Sequence, residues 1–367
     1  MDKAATVQCL NELEGKGLAM KQSGIGIALM ACLFPLCVTA QELPVCQVIA
    51  TGGTIASKIN PATGAPEPAL SGDDLIASVP GIDRVARIEV LNQARVPSTF
   101  MGPELWVELS RNVERALARP EVAGAIVSHG TDTLDETAFF LDLTVASDKP
   151  VVLTGAQRNA SDFDFDGPRN LLNAARICAE PRARGKGAML VLNSQINAAR
   201  EVSKTHTSDV ESFKSGDYGF LGNVDLDRVT FYRSPERRQH IPLKNGPLPR
   251  VDIVTTYGGN DGHAIAAAAA NGAAGIVVAA GGIGNVNAPT YEAIKAALGQ
   301  GVKVVISSRV PNGRVFPLYS SVGGGKTLKD AGALFADNLG PHKARILLML
   351  ALQHTRDNAR LQASFDR

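Results

Sequence analysis

An apolar stretch that ends in a glycine pair, residues 48–57, is the feature that most narrows what this chain can fold into. Residues 48–50 form a run rich in β-branched side chains, which is typical of a buried strand. The run breaks at the Gly52-Gly53 pair, where the backbone can adopt angles that other residues avoid. Thr54 follows at the carboxyl end of the predicted strand, where ligands bind in open α/β sheets. A hydroxyl in such a turn suits an acyl-transfer nucleophile, and an ordinary strand-to-loop turn is the alternative.

Predicted strands and helices alternate along the chain beyond this turn. Apolar runs predict strands at residues 87–90, 124–127, 151–154, 188–192, 251–255, 275–279 and 302–307. Helical spacing predicts helices at residues 103–117, 134–145, 167–179, 263–271, 290–298 and 342–353. This alternation favours mainly parallel sheets with right-handed crossovers. Residues 58–71 are aperiodic and rich in Pro, Gly, Ala and Asn, which predicts a mobile, lid-like loop.

Length and composition predict two domains, and the net charge argues against nucleic-acid and anionic-membrane partners. With 367 residues, 45% apolar and 20% charged, the chain is typical of a soluble globular protein of two domains. Residues 234–250 are charged, proline-containing and aperiodic, so we interpret them as a linker. The linker would separate an N-terminal domain, 41–233, from a C-terminal domain, 251–367. A net charge of +1 predicts neither a nucleic-acid partner nor an anionic membrane partner.

Residues 1–40 have the pattern of an upstream segment and a bacterial signal peptide. Met20 and a lysine precede an apolar run from 24 to 38, and small residues stand just before Gln41. We therefore expect a start at Met20, cleavage after Ala40 and a periplasmic product. A lipoprotein signal ending at Cys32 and a buried helix are alternatives, whereas the run is short and proline-interrupted for a transmembrane helix.

Cleavage after Ala40 would leave two of the five cysteines, Cys46 and Cys178. A periplasmic protein with two cysteines can form one disulfide. Because Cys46 begins a predicted strand and Cys178 lies in an apolar helix, two buried free thiols are an equally compatible alternative. No Cys or His spacing matches a metal site in the sequence, and we predict neither a metal nor a cofactor.

A second threonine turn follows the strand predicted at 124–127. Thr131 lies in the motif His-Gly-Thr-Asp-Thr, and in a parallel sheet it would face the same crevice as Thr54. Asp132 could hold a substrate ammonium or cap the following helix. Lys204 could act as a base in a cleft or be a solvated surface residue. We interpret His129 as a structural residue rather than a base.

Residues 50–56 (ATGGTIA) and 128–138 (SHGTDTLDETA) resemble the two signatures of the bacterial-type L-asparaginase family. Shorter stretches agree with the same family, at residues 149–152, 166–171, 202–210, 307–311 and 342–345. The resemblance covers essentially residues 46–355, and the leader resembles that of the periplasmic type. It implies a larger N-terminal α/β domain with a mainly parallel, flavodoxin-like sheet and a smaller, Rossmann-like C-terminal α/β domain.

The resemblance also implies an activity and an assembly. The activity is hydrolysis of L-asparagine to L-aspartate and ammonia, with L-glutamine as a weaker substrate; a glutaminase-asparaginase of broader specificity is the alternative. The assembly is a homotetramer whose sites lie between the N-terminal domain of one subunit and the C-terminal domain of its neighbour.

Roles of individual residues follow from the matched motifs. Thr54 would be the nucleophile, and Thr131, Asp132 and Lys204 would form a second catalytic group in which Lys204 draws the proton from Thr131. Asp132 would also bind the substrate ammonium, and Ser98 would bind the α-carboxylate. Backbone N–H groups near Thr131 would hold the oxyanion. The remaining substrate-binding residues implied by the motifs are Thr99, Gly53 and Gly130.

The sequence departs from the family pattern around the substrate. No tyrosine occurs in residues 54–98, where periplasmic members carry a lid tyrosine that hydrogen-bonds the nucleophile. Thr99 replaces a glutamine, and Thr256 replaces an asparagine that a neighbouring subunit usually contributes. The glycine-rich segment 316–333 has no match for the family's substrate-binding glutamate. We hypothesise that Tyr319 in this segment replaces the lid tyrosine.

Two other functions remain compatible with the same scaffold. One is an amidotransferase subunit that releases ammonia for tRNA-linked synthesis, which the leader and the near-neutral charge oppose. The other is a periplasmic amino-acid-binding protein without catalysis, which the retention of both threonines, the aspartate and the lysine opposes.

Overall fold

The structure, a computed structural model, describes residues 42–367, so the predicted leader lies outside the described residues. The strands are β1 (Val45–Gly52), β2 (Ser57–Ile59), β3 (Pro66–Pro68), β4 (Arg87–Val96), β5 (Val122–Ser128), β6 (Val151–Thr154), β7 (Ala188–Leu192), β8 (Gln195–Ala198), β9 (Ser203–Lys204), β10 (Phe213–Lys214), β11 (Gly222–Val224), β12 (Val229–Phe231), β13 (Val251–Thr255), β14 (Gly275–Ala280), β15 (Lys303–Ser308) and β16 (Leu334–Phe335). The helices are α1 (Gly72–Ala77), α2 (Pro103–Leu117), α3 (Leu134–Thr144), α4 (Gly167–Ala179), α5 (His263–Ala270), α6 (Ala288–Gly299), α7 (Gly325–Asp330), α8 (Pro341–Leu352) and α9 (Asn358–Phe365). None of these helices combines the length and apolar character needed to cross a bilayer.

The larger sheet has eight strands in the order β12-β11-β8-β7-β6-β5-β1-β4. Its five parallel strands, β4, β1, β5, β6 and β7, have the order 2-1-3-4-5 when they are numbered among themselves. This is the flavodoxin-like order, whose switch point lies between the first and third strands of that numbering. Strands β8, β11 and β12 extend the sheet in antiparallel fashion.

Both faces of the larger sheet are covered, as its buried parallel strands require. All eight residues of β1 are buried, and their side chains alternate between two hydrophobic clusters. Ile49 packs in the cluster that contains Trp106 of α2, whereas Val48 packs in the cluster that contains Leu171 of α4. The strand that leads to Thr54 is therefore anchored by helices on both sides.

The smaller sheet consists of β13, β14, β15 and β16, all parallel and adjacent in chain order. Its buried residues belong to the same hydrophobic cluster as Trp106, so one core runs through both sheets. The predicted fold class, two α/β parts with a larger mainly parallel sheet and a separate smaller parallel sheet, is confirmed. The predicted domain boundaries stay a prediction, since residues Leu43–Arg367 group as one compact unit.

The segment predicted as a mobile loop, 58–71, instead contains an antiparallel hairpin of β2 and β3. Both strands have only three residues and are exposed except at Ser57, and β3 begins and ends with a proline, so the sequence shows no alternation there. Contacts with a neighbouring loop hold the hairpin: Ile59 N–H donates to Ser161 Oγ at 3.0 Å, and Ala160 N–H donates to Ser57 O at 2.9 Å. The loop prediction for these residues is therefore wrong in part.

A disulfide joins Cys46 at the start of β1 to Cys178 near the end of α4. The two Cα atoms are 6.3 Å apart, and both residues are buried in the cluster that also contains Val48. The alternative of two free thiols is wrong. The sequence could not decide between the two because the pairing depends on α4 packing across β1.

Candidate active site

The candidate site lies at the carboxyl ends of three neighbouring parallel strands. Ser98 follows β4, Thr54 follows β1 and Thr131 follows β5, with β1 in the middle of the three. Strands β1 and β5 flank the switch point of the flavodoxin-like order, where the crevice of such a sheet opens. The sheet therefore brings the two predicted threonine turns to one place.

Close backbone approach explains the glycines that precede both threonines. Gly53 has φ +85°, and a Cβ added to it would lie 2.2 Å from the Cα of Gly130. A Cβ added to Gly130 would lie 2.9 Å from the Cβ of Ser98. Because real Cβ atoms do not tolerate such distances, both positions require glycine if the turns carrying Thr54, Ser98 and Thr131 are to touch.

Lys204 connects Thr131 and Asp132. Its Nζ donates to Thr131 Oγ1 at 2.9 Å and to Asp132 Oδ1 at 2.8 Å. The lysine side chain is 15% exposed and the aspartate side chain 65%, so the amine is inside the site and the carboxylate faces the opening. Asp132 does not cap α3, because the N-cap residue is Thr133, which makes no side-chain cap hydrogen bond. The amine can accept or hold the hydroxyl proton, and the carboxylate can bind a cation.

The hydroxyl and the backbone N–H of Thr54 make no hydrogen bond within the described residues. Thr54 begins a short turn, residues Thr54–Ala56, and its side chain is half-buried above the buried Ile55. Among residues 42–367, no partner hydrogen-bonds to Thr54 Oγ1, or to the backbone N–H groups of Thr54 and Thr131. Free N–H groups beside a free hydroxyl are the components of an oxyanion site next to a nucleophile.

Ser98 is buried between the second threonine turn and the end of β4. Its Oγ accepts from Asp132 N–H at 3.2 Å, and its backbone oxygen accepts from Thr133 Oγ1 at 2.7 Å. Thr99, the next residue, is exposed. A cleft of about 350 Å³ opens beside Asp132 and Lys204 and is lined by these two residues and residues 205–207.

Two family models match the sequence, and together they span both sheets. The model described as Asparaginase, N-terminal matches residues 46–237, and the Glutaminase/Asparaginase C-terminal domain matches residues 250–365. The chain belongs to the asparaginase family.

Individual relatives extend the match over most of the chain. L-asparaginase 2 of Bacillus subtilis (strain 168) is 37% identical over 335 residues, which cover 89% of this chain and 87% of that protein. A probable periplasmic L-asparaginase of Haemophilus influenzae is 38% identical over 336 residues, 89% of this chain and 94% of that protein. The crystal structure of a probable cytoplasmic L-asparaginase from Campylobacter jejuni superposes with a TM-score of 0.81 at 37% identity, and the match covers 88% of this chain and 99% of that one.

His129, which is part of the second family signature, is structural. It is fully buried, its Nδ1 lies 2.7 Å from Gly130 O and its Nε2 lies 3.0 Å from Thr137 Oγ1. Thr137 Oγ1 in turn accepts from Trp106 Nε1 at 2.8 Å. Burial lowers the pKa of His129 to about 4, so the ring is neutral at pH 7 and both of its nitrogens are occupied.

Tyr319 is not joined to the Thr54 turn within one chain. It lies between β15 and α7 with 52% of its surface exposed, and no hydrogen bond links it to Thr54 among the residues described. Within the same residues, no group of three or more His, Cys, Asp or Glu side chains could hold a metal ion.

Asp135, within the second family signature, is a site residue that the sequence alone does not indicate. Asp135, in the first turn of α3, accepts from the backbone N–H of Lys204 through Oδ2 at 3.3 Å. Asp135 follows Asp132 by three residues, which is about one helical turn, and this spacing is the only feature of the sequence that indicates a position near the site. The contact with a segment 69 residues away appears only in the fold.

Proposed function

We propose that the protein hydrolyses the side-chain amide of L-asparagine, which yields L-aspartate and ammonia. The observation that carries the proposal is the arrangement of Lys204 Nζ, 2.9 Å from Thr131 Oγ1 and 2.8 Å from Asp132 Oδ1, beside the free hydroxyl of Thr54. Membership of the asparaginase family and relatives named L-asparaginase support the same substrate.

The proposed chemistry has two stages. Thr54 Oγ1 attacks the amide carbon, and the backbone N–H groups of Thr54 and Thr131 stabilise the oxyanion, an effect worth about 3 kcal/mol per donor. Lys204 draws the proton from Thr131, which prepares Thr131 to take up the proton that the nucleophile loses. The proton that Thr54 loses passes through Thr131 and Lys204 to the amide nitrogen, so the C–N bond breaks and ammonia leaves. Water then hydrolyses the aspartyl ester that remains on Thr54, and one proton of that water returns to Thr54 Oγ1, which gives L-aspartate and free enzyme.

Recognition of the substrate uses groups on both sides of Thr54. The exposed carboxylate of Asp132 binds the α-ammonium, and the Ser98 hydroxyl binds the α-carboxylate. Gly53 and Gly130 contribute by allowing close approach, and Gly53 N–H already donates to Val96 O at 3.1 Å. Thr99, at the exposed rim, contacts the outer part of the substrate.

Ammonia release from L-asparagine and L-glutamine by the purified protein tests the proposal. We expect release from L-asparagine, and loss of at least about 1,000-fold in kcat for Thr54→Ala, since a nucleophile cannot be replaced by binding alone. Thr230→Ala, at a half-buried threonine in the edge strand β12, is the matched control and retains activity. Undiminished turnover by Thr54→Ala would contradict the mechanism, and no release from either amide by folded protein would contradict the function.

The same assay separates the alternatives. Comparable rates on both amides would make the protein a glutaminase-asparaginase, whereas ligand binding without ammonia release would make it an amino-acid-binding protein. The residue pattern around Lys204 favours catalysis, because a binding protein has no use for an amine that contacts a threonine hydroxyl in the site.

Export to the periplasm is part of the proposal. The signal-peptide pattern of residues 20–40 supports it, and so does the Cys46–Cys178 disulfide, because disulfides persist in oxidising compartments. One relative is named periplasmic and another cytoplasmic, so family membership alone does not decide the compartment. N-terminal sequencing of the exported protein should begin at Gln41, and recovery of an intact residue 20–40 segment from the cytoplasm would contradict export.

We also propose a homotetramer with shared sites and two domains, 41–233 and 251–367, joined by residues 234–250. The open rim of the site supports sharing, because Asp132 and Thr99 are exposed in the single chain. The exposed phenol of Tyr319 would then reach Thr54 of a neighbouring subunit.

A further inference from the structure

Lys343 is a buried lysine that the proposed chemistry does not use. It lies in α8, is 6% exposed, and donates through Nζ to Arg200 O at 3.0 Å and to Val202 O. The same Nζ lies 5.8 Å from the centre of the Phe139 ring, on the side of α3. Lys343 therefore holds a stretch of backbone that ends two residues before Lys204.

Burying a lysine at this position costs desolvation free energy, which hydrogen bonds from its ammonium group must offset. No carboxylate forms an ion pair with Lys343 within residues 42–367. Burial lowers the pKa of Lys343 to about 8, with Asp135, Glu201 and Asp142 opposing this and Arg200 adding to it. The ammonium is thus the main form at pH 7 and keeps three donors. An apolar side chain would match the rest of the buried face of α8 without this desolvation cost.

The backbone that Lys343 holds leads directly into the strand that carries Lys204. That strand, β9, has two residues and pairs only with the equally short β10, which is too little pairing to fix a backbone by itself. The N–H groups of Glu201 and Val202 also donate to Ala198 O, and Thr205 N–H donates to Ser212 O. Two side chains add to these backbone restraints. Asp135 accepts from Lys204 N–H on one side, and Lys343 donates to the carbonyls of Arg200 and Val202 on the other.

We propose that Lys343 is a positioning residue that fixes the backbone of residues 200–202 so that Lys204 Nζ stays between Thr131 Oγ1 and Asp132 Oδ1. The inference rests on the proposed function, since it assigns Lys343 a part in that reaction. It matters for rate because Lys204 has a four-carbon flexible stem, and a displacement of about 1 Å in a reacting group can cost on the order of 100-fold. Lys343 acts at a distance, through two carbonyl groups, and touches no substrate.

Lys343→Met tests the proposal against a matched control, Lys149→Met. Lys149 also donates through Nζ to two carbonyls, Leu117 O at 2.9 Å and Arg119 O at 2.6 Å, but it lies at the amino end of β6, whereas the site lies at the carboxyl ends of the strands. Both variants lose the same kind of contact. We expect Lys343→Met to lower kcat for L-asparagine by about 10- to 100-fold with KM within about twofold, and Lys149→Met to keep both constants.

A crystal structure of Lys343→Met adds a result that does not depend on activity. We expect Lys204 Nζ to lose its contact with Thr131 Oγ1, and retention of that contact would overturn the proposal. Wild-type kcat in Lys343→Met would also overturn it, even if the melting temperature falls. An inactive wild type would overturn the proposed function instead, and the crystal structure would still decide the positioning role.

A second variant covers the case in which Lys343→Met does not fold. Lys343→Gln keeps N–H donors on a shorter uncharged chain that can reach one of the two carbonyls. We expect it to have a kcat between those of the wild type and Lys204→Met, with KM within about twofold. A kcat equal to that of the wild type would overturn the proposal.

Discussion

The degree of burial distinguishes structural from potentially reactive polar residues near Thr131. His129 and Lys204 both lie close to Thr131 in the fold, yet the histidine is fully buried and the lysine side chain is 15% exposed. His129 uses both ring nitrogens inside the protein, whereas Lys204 directs its amine to a hydroxyl and a carboxylate at the opening. Because both ring nitrogens of His129 are hydrogen-bonded away from the opening, this geometry favours Lys204 over His129 for proton transfer in the proposed mechanism.

The buried ring of His129 predicts acid sensitivity of the fold. Its folded-state pKa of about 4 lies below the usual 6.5, so between these pH values the unfolded chain binds a proton that the folded chain excludes. Stability from this group is therefore present above pH 6.5 and is lost as the pH falls to 4, by on the order of 3 kcal/mol.

Urea unfolding at pH 7 and pH 4.5 measures this loss. We expect His129→Gln, which cannot titrate, to lose less stability between the two pH values than the wild type. His354→Gln, at an exposed histidine, is the matched control. Equal pH dependence in the wild type and His129→Gln would contradict the assignment.

The residues that the sequence predicts well are those whose role is local. Thr54 and Thr131 each follow a β-branched run and a glycine, so a strand end and a turn could be predicted for each from nearby residues alone. Asp135 and Lys343 could not be predicted, because their contacts with Lys204 and Val202 join segments 69 and 141 residues apart. Contacts between residues so far apart in the sequence are determined by the packing of the folded chain.

At the scale of elements, the site depends on how three parallel strands are ordered. Strand β1 lies between β4 and β5, so the loops after all three strands converge on the Gly53–Gly130 contact. Helices with clear amphipathic spacing were predicted accurately, as α2 and α4 have the expected limits. The sequence does not predict the hairpin of β2 and β3 or the final helix α9, because three-residue strands and an eight-residue helix with two buried residues carry too little periodicity.

We expect the disulfide between β1 and α4 to contribute strongly to the free energy of unfolding. It closes a loop with a sequence separation of 132, and loop entropy of that size corresponds to roughly 3–5 kcal/mol. We expect the denaturant midpoint to fall when the wild type is unfolded with a reductant, to the value of the Cys46→Ala/Cys178→Ala double variant. Identical midpoints for the oxidised wild type and the double variant would contradict this contribution.

At the scale of the whole molecule, the two sheets are coupled through shared contacts. One hydrophobic cluster runs through both, and Arg237 Nη1, between β12 and β13, donates to Asp337 Oδ2 beyond β16 at 2.6 Å. The smaller sheet thus carries α8 in a fixed relation to the larger one, which is what allows Lys343 to reach the backbone before Lys204. Local sequence patterns predict each sheet, but not this packing between them.

In the proposed homotetramer, Tyr319 of one subunit would contact Thr54 of a neighbouring subunit, a contact that does not occur within one chain. If sites are shared, Tyr319→Phe should lower turnover of L-asparagine by about tenfold or more, because the phenol then orients Thr54 across the interface. Light scattering should give a mass of four chains. Unchanged turnover in Tyr319→Phe would end the hypothesis for this residue, and a monomer with full activity would contradict shared sites.

In the proposed mechanism Thr54, and not Thr131, carries the covalent intermediate. The test is to stop turnover of L-asparagine in acid within milliseconds and to map the peptides by mass spectrometry. We expect an aspartyl ester on the peptide that contains Thr54, and no ester on that peptide in Thr54→Ala. An ester on the peptide that contains Thr131 would contradict the mechanism, because it would make the hydroxyl beside Lys204 the nucleophile.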